Sequence, residues 1–260
     1  MNALKAKLQV WHPTKAFSCL PSCRFGLLIL RGAPYCPCLQ DTVQTLWRSA
    51  LIKVAADGAG NLLHRMHSET FPMVPDAICG DLDSIANESL HFLSSKGAKV
   101  VKVEEQETTD FTKSVRLLVE RASQLNLQLE MLIAVGGLCG RSDHMFGCVQ
   151  SLFLHLDEHP ELPIFLWHKE SLVFLLPPGE HTIQFDKSLI TGKCGLIPIG
   201  CTVKQVFTTG LRWELNGHSL AFGKLVSSSN EIVGNTVTVN TSDRLLFNLQ
   251  LNTERLCRCT

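Results

Sequence analysis

The feature that most constrains this chain is a change of rhythm near Pro160. Before it, short apolar runs alternate with helical periodicity; after it, apolar runs are separated only by turns. Phe25 to Leu30, Lys53 to Ala56, Asp76 to Cys79, Lys99 to Val103 and Met131 to Val135 read as strands. Asp41 to Leu51, Asn87 to Lys96, a segment from Asp110 and a segment from His144 to His155 read as helices. In the third of these, Phe111, Val115, Leu118, Val119, Ala122 and Leu125 recur at helical spacing, with Thr108 or Thr109 available as N-cap. Strands that alternate with helices imply a mainly parallel sheet covered on both faces.

Beyond Pro160 the extended runs are Ile164 to Trp167, Leu172 to Leu176, His181 to Phe185, Val203 to Thr208, Arg212 to Leu215, Ser219 to Phe222, Thr236 to Val239 and Leu245 to Leu251. Asn216-Gly217 between two of them predicts a hairpin, since both residues tolerate the positive φ of a type I′ turn. The expected architecture is an α/β plus β chain. Residues 1–24 form an N-terminal extension that can be disordered, residues 25–160 a mainly parallel, Rossmann-like α/β domain, and residues 161–260 an all-β domain.

Lysine plus arginine and aspartate plus glutamate each total 24 in 260 residues, so no global basic field favours nucleic acid or an anionic membrane. Apolar stretches such as Leu27 to Leu30 and Leu172 to Leu176 are far shorter than a bilayer span. The 11 cysteines lack the regular framework of a secreted scaffold, which fits a reducing, cytoplasmic setting. The pairs Cys19/Cys23, Cys36/Cys38 and Cys257/Cys259 match no common zinc module. The first 40 residues carry no Asp or Glu but include Lys5, Lys7, Lys15, Arg24 and Arg31, a bias shared with mitochondrial transit peptides. Arginine and serine are sparse before Cys23 and no amphipathic repeat emerges, so a cytoplasmic location is expected.

The chemistry falls in the α/β part. Asp57, Asp81, Asp83, Asp110 and Asp143 all follow predicted strands, and ligands of open parallel sheets sit beyond the carboxyl ends of the strands. Several ionised carboxylates at one rim repel each other unless a cation compensates, and Mg²⁺ prefers oxygen ligands. Asp81 and Asp83, two residues apart after Gly80, can both turn toward a metal. Lys113 and Arg141 interleave cations with Asp110 and Asp143, as a magnesium polyphosphate requires. Helix starts after Thr109 and the loop Gly136 to Gly140 could hold phosphate oxygens. There is no Walker A loop, and Gly58-Ala59-Gly60 lacks the third glycine of a dinucleotide fingerprint.

Together, Ala56-Asp57-Gly58 with Asn61, Gly80 to Ser84, Gln106 to Lys113, Gly136 to Asp143 and Leu225 to Asn230 resemble thiamine pyrophosphokinase of the animal type. The resemblance runs from about Phe25 to Leu251. It implies an α/β domain followed by an antiparallel β-sandwich, a homodimer with sites at the interface, and transfer of the pyrophosphoryl group of ATP to the hydroxyethyl group of thiamine, giving thiamine diphosphate and AMP. It also implies that Asp81, Asp83 and Asp110 are catalytic and bind Mg²⁺, and that Gln106, Thr109, Lys113, Arg141 and Asp143 line the ATP phosphates. Trp213, Ser227, Ser229 and Asn230 from the second domain, with Asp57 and Asn61 from the first, become the thiamine candidates. An aspartate, Asp110 or Asp81, would accept the hydroxyl proton.

The family's usual Asp-Gly-Gly-Ala-Asn-Arg phrase stands here as Asp57-Gly58-Ala59-Gly60-Asn61-Leu62. An aromatic commonly found before the last acid of the Gly-Gly motif is replaced by Ser142, and Glu231-Ile232-Val233-Gly234 follows Asn230 where the family has Tyr-Asp-Gly. These altered loops frame the alternatives: a catalytically weak homologue that binds thiamine or nucleotide, or a Mg-dependent nucleotide hydrolase.

Overall fold

A computed structural model describes residues 8–18, 23–33 and 37–256, and the chain divides into two units between Lys169 and Glu170. The first described strand, β1 (Gln9–Trp11), belongs with the later, strand-rich unit.

The α/β unit begins with β2 (Phe25–Ile29), α1 (Pro37–Ser49), β3 (Ile52–Ala56), α2 (Ala59–Met66), β4 (Ala77–Gly80) and α3 (Asn87–Ser95). It continues with β5 (Lys99–Lys102), α4 (Asp110–Gln124), β6 (Met131–Val135), α5 (Ser142–Glu158) and β7 (Ile164–His168). Every strand pair in it is parallel, in the order β7-β6-β2-β3-β4-β5. The direction of winding reverses at β2, which lies between β6 and β3. Phe25-Gly-Leu-Leu-Ile29 and Met131-Leu-Ile-Ala-Val135 are buried at every position, as strands covered on both faces must be. Helix α4 packs on β2, β3 and β4, and a Cβ at Gly26 would come 2.7 Å from a Leu118 methyl, so glycine leaves room for that side chain against the sheet.

The second unit holds β8 (Ser171–Leu176), β9 (Gly179–Gln184), β10 (Ile190–Ile197), β11 (Val203–Thr209), β12 (Asn216–Leu220), β13 (Ser227–Glu231), β14 (Thr236–Thr241), β15 (Leu245–Leu251) and the short α6 (Thr253–Leu256). Within it, strands β13-β10-β15-β8 pair antiparallel, and a second sheet runs β1-β9-β14-β11-β12. The second sheet is antiparallel except at β1, which pairs parallel to β9. Trp11 from one sheet stacks on Phe174 from the other at 5.3 Å between ring centroids, and Phe174 meets Phe247 at the same distance. The core of this unit therefore lies between the two sheets.

Four expectations change. The division falls after Lys169 instead of after residue 160, because the fully buried run Ile164–His168 joins the parallel sheet beside β6. Residues within the expected extension 1–24 form β1: Trp11 is 3% exposed and donates its indole N–H to His181 Nδ1 at 3.1 Å. Arg212 to Leu215 is a loop, with only Leu211 bridged to Ile232. Asn216-Gly217 opens strand β12 and is not a turn; Gly217 keeps a φ of 72°, but the chain reverses through the preceding loop. Residues 1–7, 19–22, 34–36 and 257–260, which include Cys19, Cys36, Cys257 and Cys259, lie outside the described residues.

Candidate active site

The rim of the parallel sheet is built where β3 and β4 end side by side. Asp57 follows β3 directly, Asp81 follows β4, and Asp110 opens α4; carboxylate oxygens of all three lie within 4.8 Å of one another. Gly80 makes this approach possible, because a Cβ there would stand 2.7 Å from the Asp57 Cβ and 3.0 Å from an Asp110 oxygen. Asp57 itself takes a positive φ of 37°, a conformation that aspartate tolerates better than most residues.

Asp57 is buried and accepts from the backbone N–H groups of Ser84 (3.0 Å) and Ile85 (3.2 Å). Asn61 braces the same segment from α2, donating to Ser84 O at 3.0 Å and accepting from Ala86 N at 2.9 Å. The loop that carries Asp81 and Asp83 is thus tied at its far end by two side chains from the neighbouring strand and helix. Gly60 permits the close packing, since a Cβ there would lie 2.3 Å from Ile85 Cδ1.

Burial pushes the Asp57 carboxyl above the ordinary aspartate range, and the Asp110 charge adds to this against the two backbone donors. Asp110 is raised in the same way, by burial first and then by the charge of Asp81, with Lys113 opposing. Lys113 is one turn along α4, 3.4 Å from Asp110, and its side chain is only 3% exposed. Three carboxylates with one buried ammonium remain short of positive charge, and an all-oxygen donor set suits a hard divalent cation such as Mg²⁺.

Asp83, expected among the metal ligands, is exposed and stands outside the three-carboxylate cluster; its N–H donates to Asp81 Oδ1 (3.3 Å) and it accepts from the Ser84 hydroxyl (2.8 Å). Asp57, which the sequence had grouped with the thiamine candidates, stands in that cluster. The usable signal was adjacency: two consecutive βα units place the ends of β3 and β4 side by side, whatever their separation in sequence.

The expected phosphate residues flank the rim on two helix starts. Thr109 is the N-cap of α4, accepting from Thr112 N at 3.2 Å. Gln106 lies exposed on the approach to it. Arg141 and Asp143 at the start of α5 form an exposed bidentate pair, with Nε to Oδ1 at 3.1 Å; this bonding holds Asp143 below the ordinary range. Before them, Gly136 has a φ of 110° and passes so close to the end of β2 that a Cβ would meet Ala33 N at 2.8 Å.

The remaining candidates belong to the β-rich unit. Trp213 is 57% exposed, and the Arg212 guanidinium lies 5.8 Å from its ring centroid. Asn230 is buried; it donates to Trp213 O (2.8 Å) and Ser227 Oγ (3.1 Å) and accepts from Trp213 N (3.3 Å) and Glu231 N (2.8 Å). It holds the Trp213 loop to β13, while Ser229, at a φ of 59°, is exposed.

A family model described as "Thiamin pyrophosphokinase, catalytic domain" matches residues 43–166, and one described as "Thiamin pyrophosphokinase, vitamin B1 binding domain" matches residues 180–246. Thiamin pyrophosphokinase 1 of Caenorhabditis elegans is 33% identical over 230 residues, covering 88% of this chain and 90% of the relative. Thiamine pyrophosphokinase 3 of Oryza sativa subsp. japonica is 34% identical over 220 residues, covering 79% and 81%. The fold is shared with the thiamin pyrophosphokinase of Candida albicans (TM-score 0.81, 22% identity, covering 94% of this chain and 93% of that one). It is also shared with the yeast enzyme (TM-score 0.82, 24% identity, covering 98% and 95%).

Proposed function

The chain belongs to the thiamin pyrophosphokinase family, and from that premise we propose that it makes thiamine diphosphate from thiamine and ATP at the carboxylate rim of its parallel sheet. The observation that carries this reading is the cluster of Asp57, Asp81 and Asp110 with buried Lys113 at the ends of β3 and β4.

Asp57, Asp81 and Asp110 would hold Mg²⁺, with Asp83 on the exposed side of the acidic set. When bound, the ion supplies positive charge to the phosphate oxygens and relieves the repulsion among the acids. Lys113, fixed by burial and by Asp110, offers its remaining N–H donors to a phosphate without having to order a flexible side chain. At the start of α4 the Thr112 N–H is taken by the Thr109 hydroxyl, while the N–H groups before it lie at a helix N-terminus, which favours anionic oxygens. Arg141 can exchange its exposed fork from Asp143 to a phosphate, and Gln106 borders the same approach.

Transfer of a pyrophosphoryl group requires in-line attack of the thiamine hydroxyl on the β-phosphorus as AMP departs, so position dominates. Holding two substrates in attack geometry is worth ~7–11 kcal/mol, more than a general base supplies. For the acceptor, Trp213 offers a π surface to a cationic aromatic, Ser227 and Ser229 offer hydroxyls, and Asn230 keeps that loop in place. Asp57 and Asn61 act through the loop they brace.

The finer fold reading is a Rossmann-like domain followed by a β-sandwich, supported by the all-parallel order of one unit and the Trp11–Phe174 stack in the other. We further infer a homodimer. No described helix is long and apolar enough to cross a membrane, and the free thiols of Cys79 and Cys194 suit the cytoplasm.

The test is to incubate the protein with ATP, Mg²⁺ and thiamine and follow AMP and thiamine diphosphate together. Equal, thiamine-dependent yields of both are expected. AMP released without thiamine would make the protein a hydrolase, and no turnover would overturn the reading.

A further inference from the structure

We propose that Ser151, on α5, is a positioning residue for the reaction, acting through a buried hydroxyl hub that sets the start of α4 against α5; the inference rests on the pyrophosphokinase reading of the rim. Ser151 is 2% exposed, and its Oγ donates to Gly147 O at 3.0 Å. With its single proton placed there, it accepts from the Thr112 hydroxyl at 2.8 Å and from the Thr109 hydroxyl at 2.9 Å. Thr109 in turn accepts from Thr112 N, so the N-cap of α4 and its third residue converge on one oxygen of α5. Gly147 brings the helices close enough for this, since a Cβ there would stand 3.2 Å from Thr109 Cγ2.

Asp110 and Lys113 each follow a hub residue directly, Asp110 after Thr109 and Lys113 after Thr112. Arg141 and Asp143 ride on the first turn of the helix that carries Ser151. A shift of α4 along α5 would therefore change the distance between the metal-side acid and the phosphate-side fork without unfolding either element. A serine hydroxyl can satisfy three partners at once, whereas alanine leaves the buried Thr112 hydroxyl, and the Thr109 hydroxyl on the exposed side, to find others.

The experiment compares wild type with Ser151→Ala, Thr112→Val and Thr112→Ser, measuring melting temperature, the Kd for MgATP by calorimetry, and kcat with KM for thiamine. Loss of a residue that supports metal or phosphate ligands typically weakens binding by about tenfold or more. We expect Ser151→Ala to raise the MgATP Kd and lower kcat by about tenfold while KM for thiamine stays within about twofold. Thr112→Val, which keeps the volume and removes one arm of the hub, should move the same constants by a smaller factor, and Thr112→Ser should restore them. A melting-temperature drop with wild-type Kd and kcat would make the hub purely structural and overturn the proposal. If Ser151→Ala does not fold, equal constants for Thr112→Val and wild type overturn it instead. Absence of MgATP binding by the wild type would overturn the kinase reading and this inference with it.

Discussion

At the rim of the parallel sheet, Asp57, Asp81 and Asp110 crowd together and burial disfavours the charges of Asp57 and Asp110, whereas in the β-rich unit Asn230 uses both ends of its amide on neighbouring backbone and on Ser227. Both are polar groups wholly or partly withdrawn from water, but the first set is held against its own electrostatics and the second is satisfied. Strain of the first kind is relieved only by a ligand and so marks the place of chemistry. Satisfaction of the second kind makes a platform, on which exposed Trp213 and Ser229 stand free to meet one.

The comparison breaks most readily at the rim. Asp110→Asn should lower turnover by about 10³-fold, the scale of removing one preorganised electrostatic element, while the protein melts no lower than wild type because a repulsive charge is gone. A melting temperature well below wild type, with activity retained, would mean that Asp110 serves the fold. Gly80→Ala should cost about 10²-fold in turnover, since its Cβ would displace Asp57 and Asp110 from one another; steady-state kinetics with and without excess Mg²⁺ read this out.

In the β-rich unit the sign of the effect reverses. Asn230→Ala should cost ~2–3 kcal/mol in denaturant unfolding, because buried backbone groups at Trp213 and Glu231 lose their partners. Trp213→Ala should change stability by less than ~0.5 kcal/mol yet raise KM for thiamine. If the two variants behaved alike, the distinction between platform and contact would fail.

The smallest effect is on pH. Asp57 and Asp110 have folded values raised above the ordinary 3.8, so the native state holds more protons than the unfolded chain just above that value. Stability is therefore greatest below it and falls as pH rises through the raised values. In EDTA, Asp110→Asn should flatten this slope by less than ~1 kcal/mol, since Asp110 is partly solvated. Added Mg²⁺ should reverse it in the wild type by binding the ionised carboxylates.

Much of the α/β unit was legible because its helices are amphipathic: the spacing from Phe111 to Leu125 located α4, and Thr109 proved to be its cap. Segments whose composition argues against their structure were not legible. Helix α2 opens with Ala59-Gly60 because Gly60 must pass Ile85, and β10 carries Gly192, Lys193 and Gly195, which read as loop. Ile164–His168 is equally apolar in a parallel or an antiparallel sheet, so its membership in the first unit could be read only from its partner β6. Likewise the acid phrases pointed to a carboxylate-rich rim, but which carboxylates converge depended on the glycine at position 80 and the side-by-side ends of two strands.

Strand β1 also fixes an order of events during synthesis. Trp11 is synthesised ahead of the whole α/β unit, and its partner His181 follows 170 residues later. The whole α/β unit is translated in between, and its strands pair only with one another through β6. That unit can condense while the N-terminal strand is still without β9, so closure of the β-rich core around Trp11 and Phe174 is the step with the largest chain separation and falls late on the folding path.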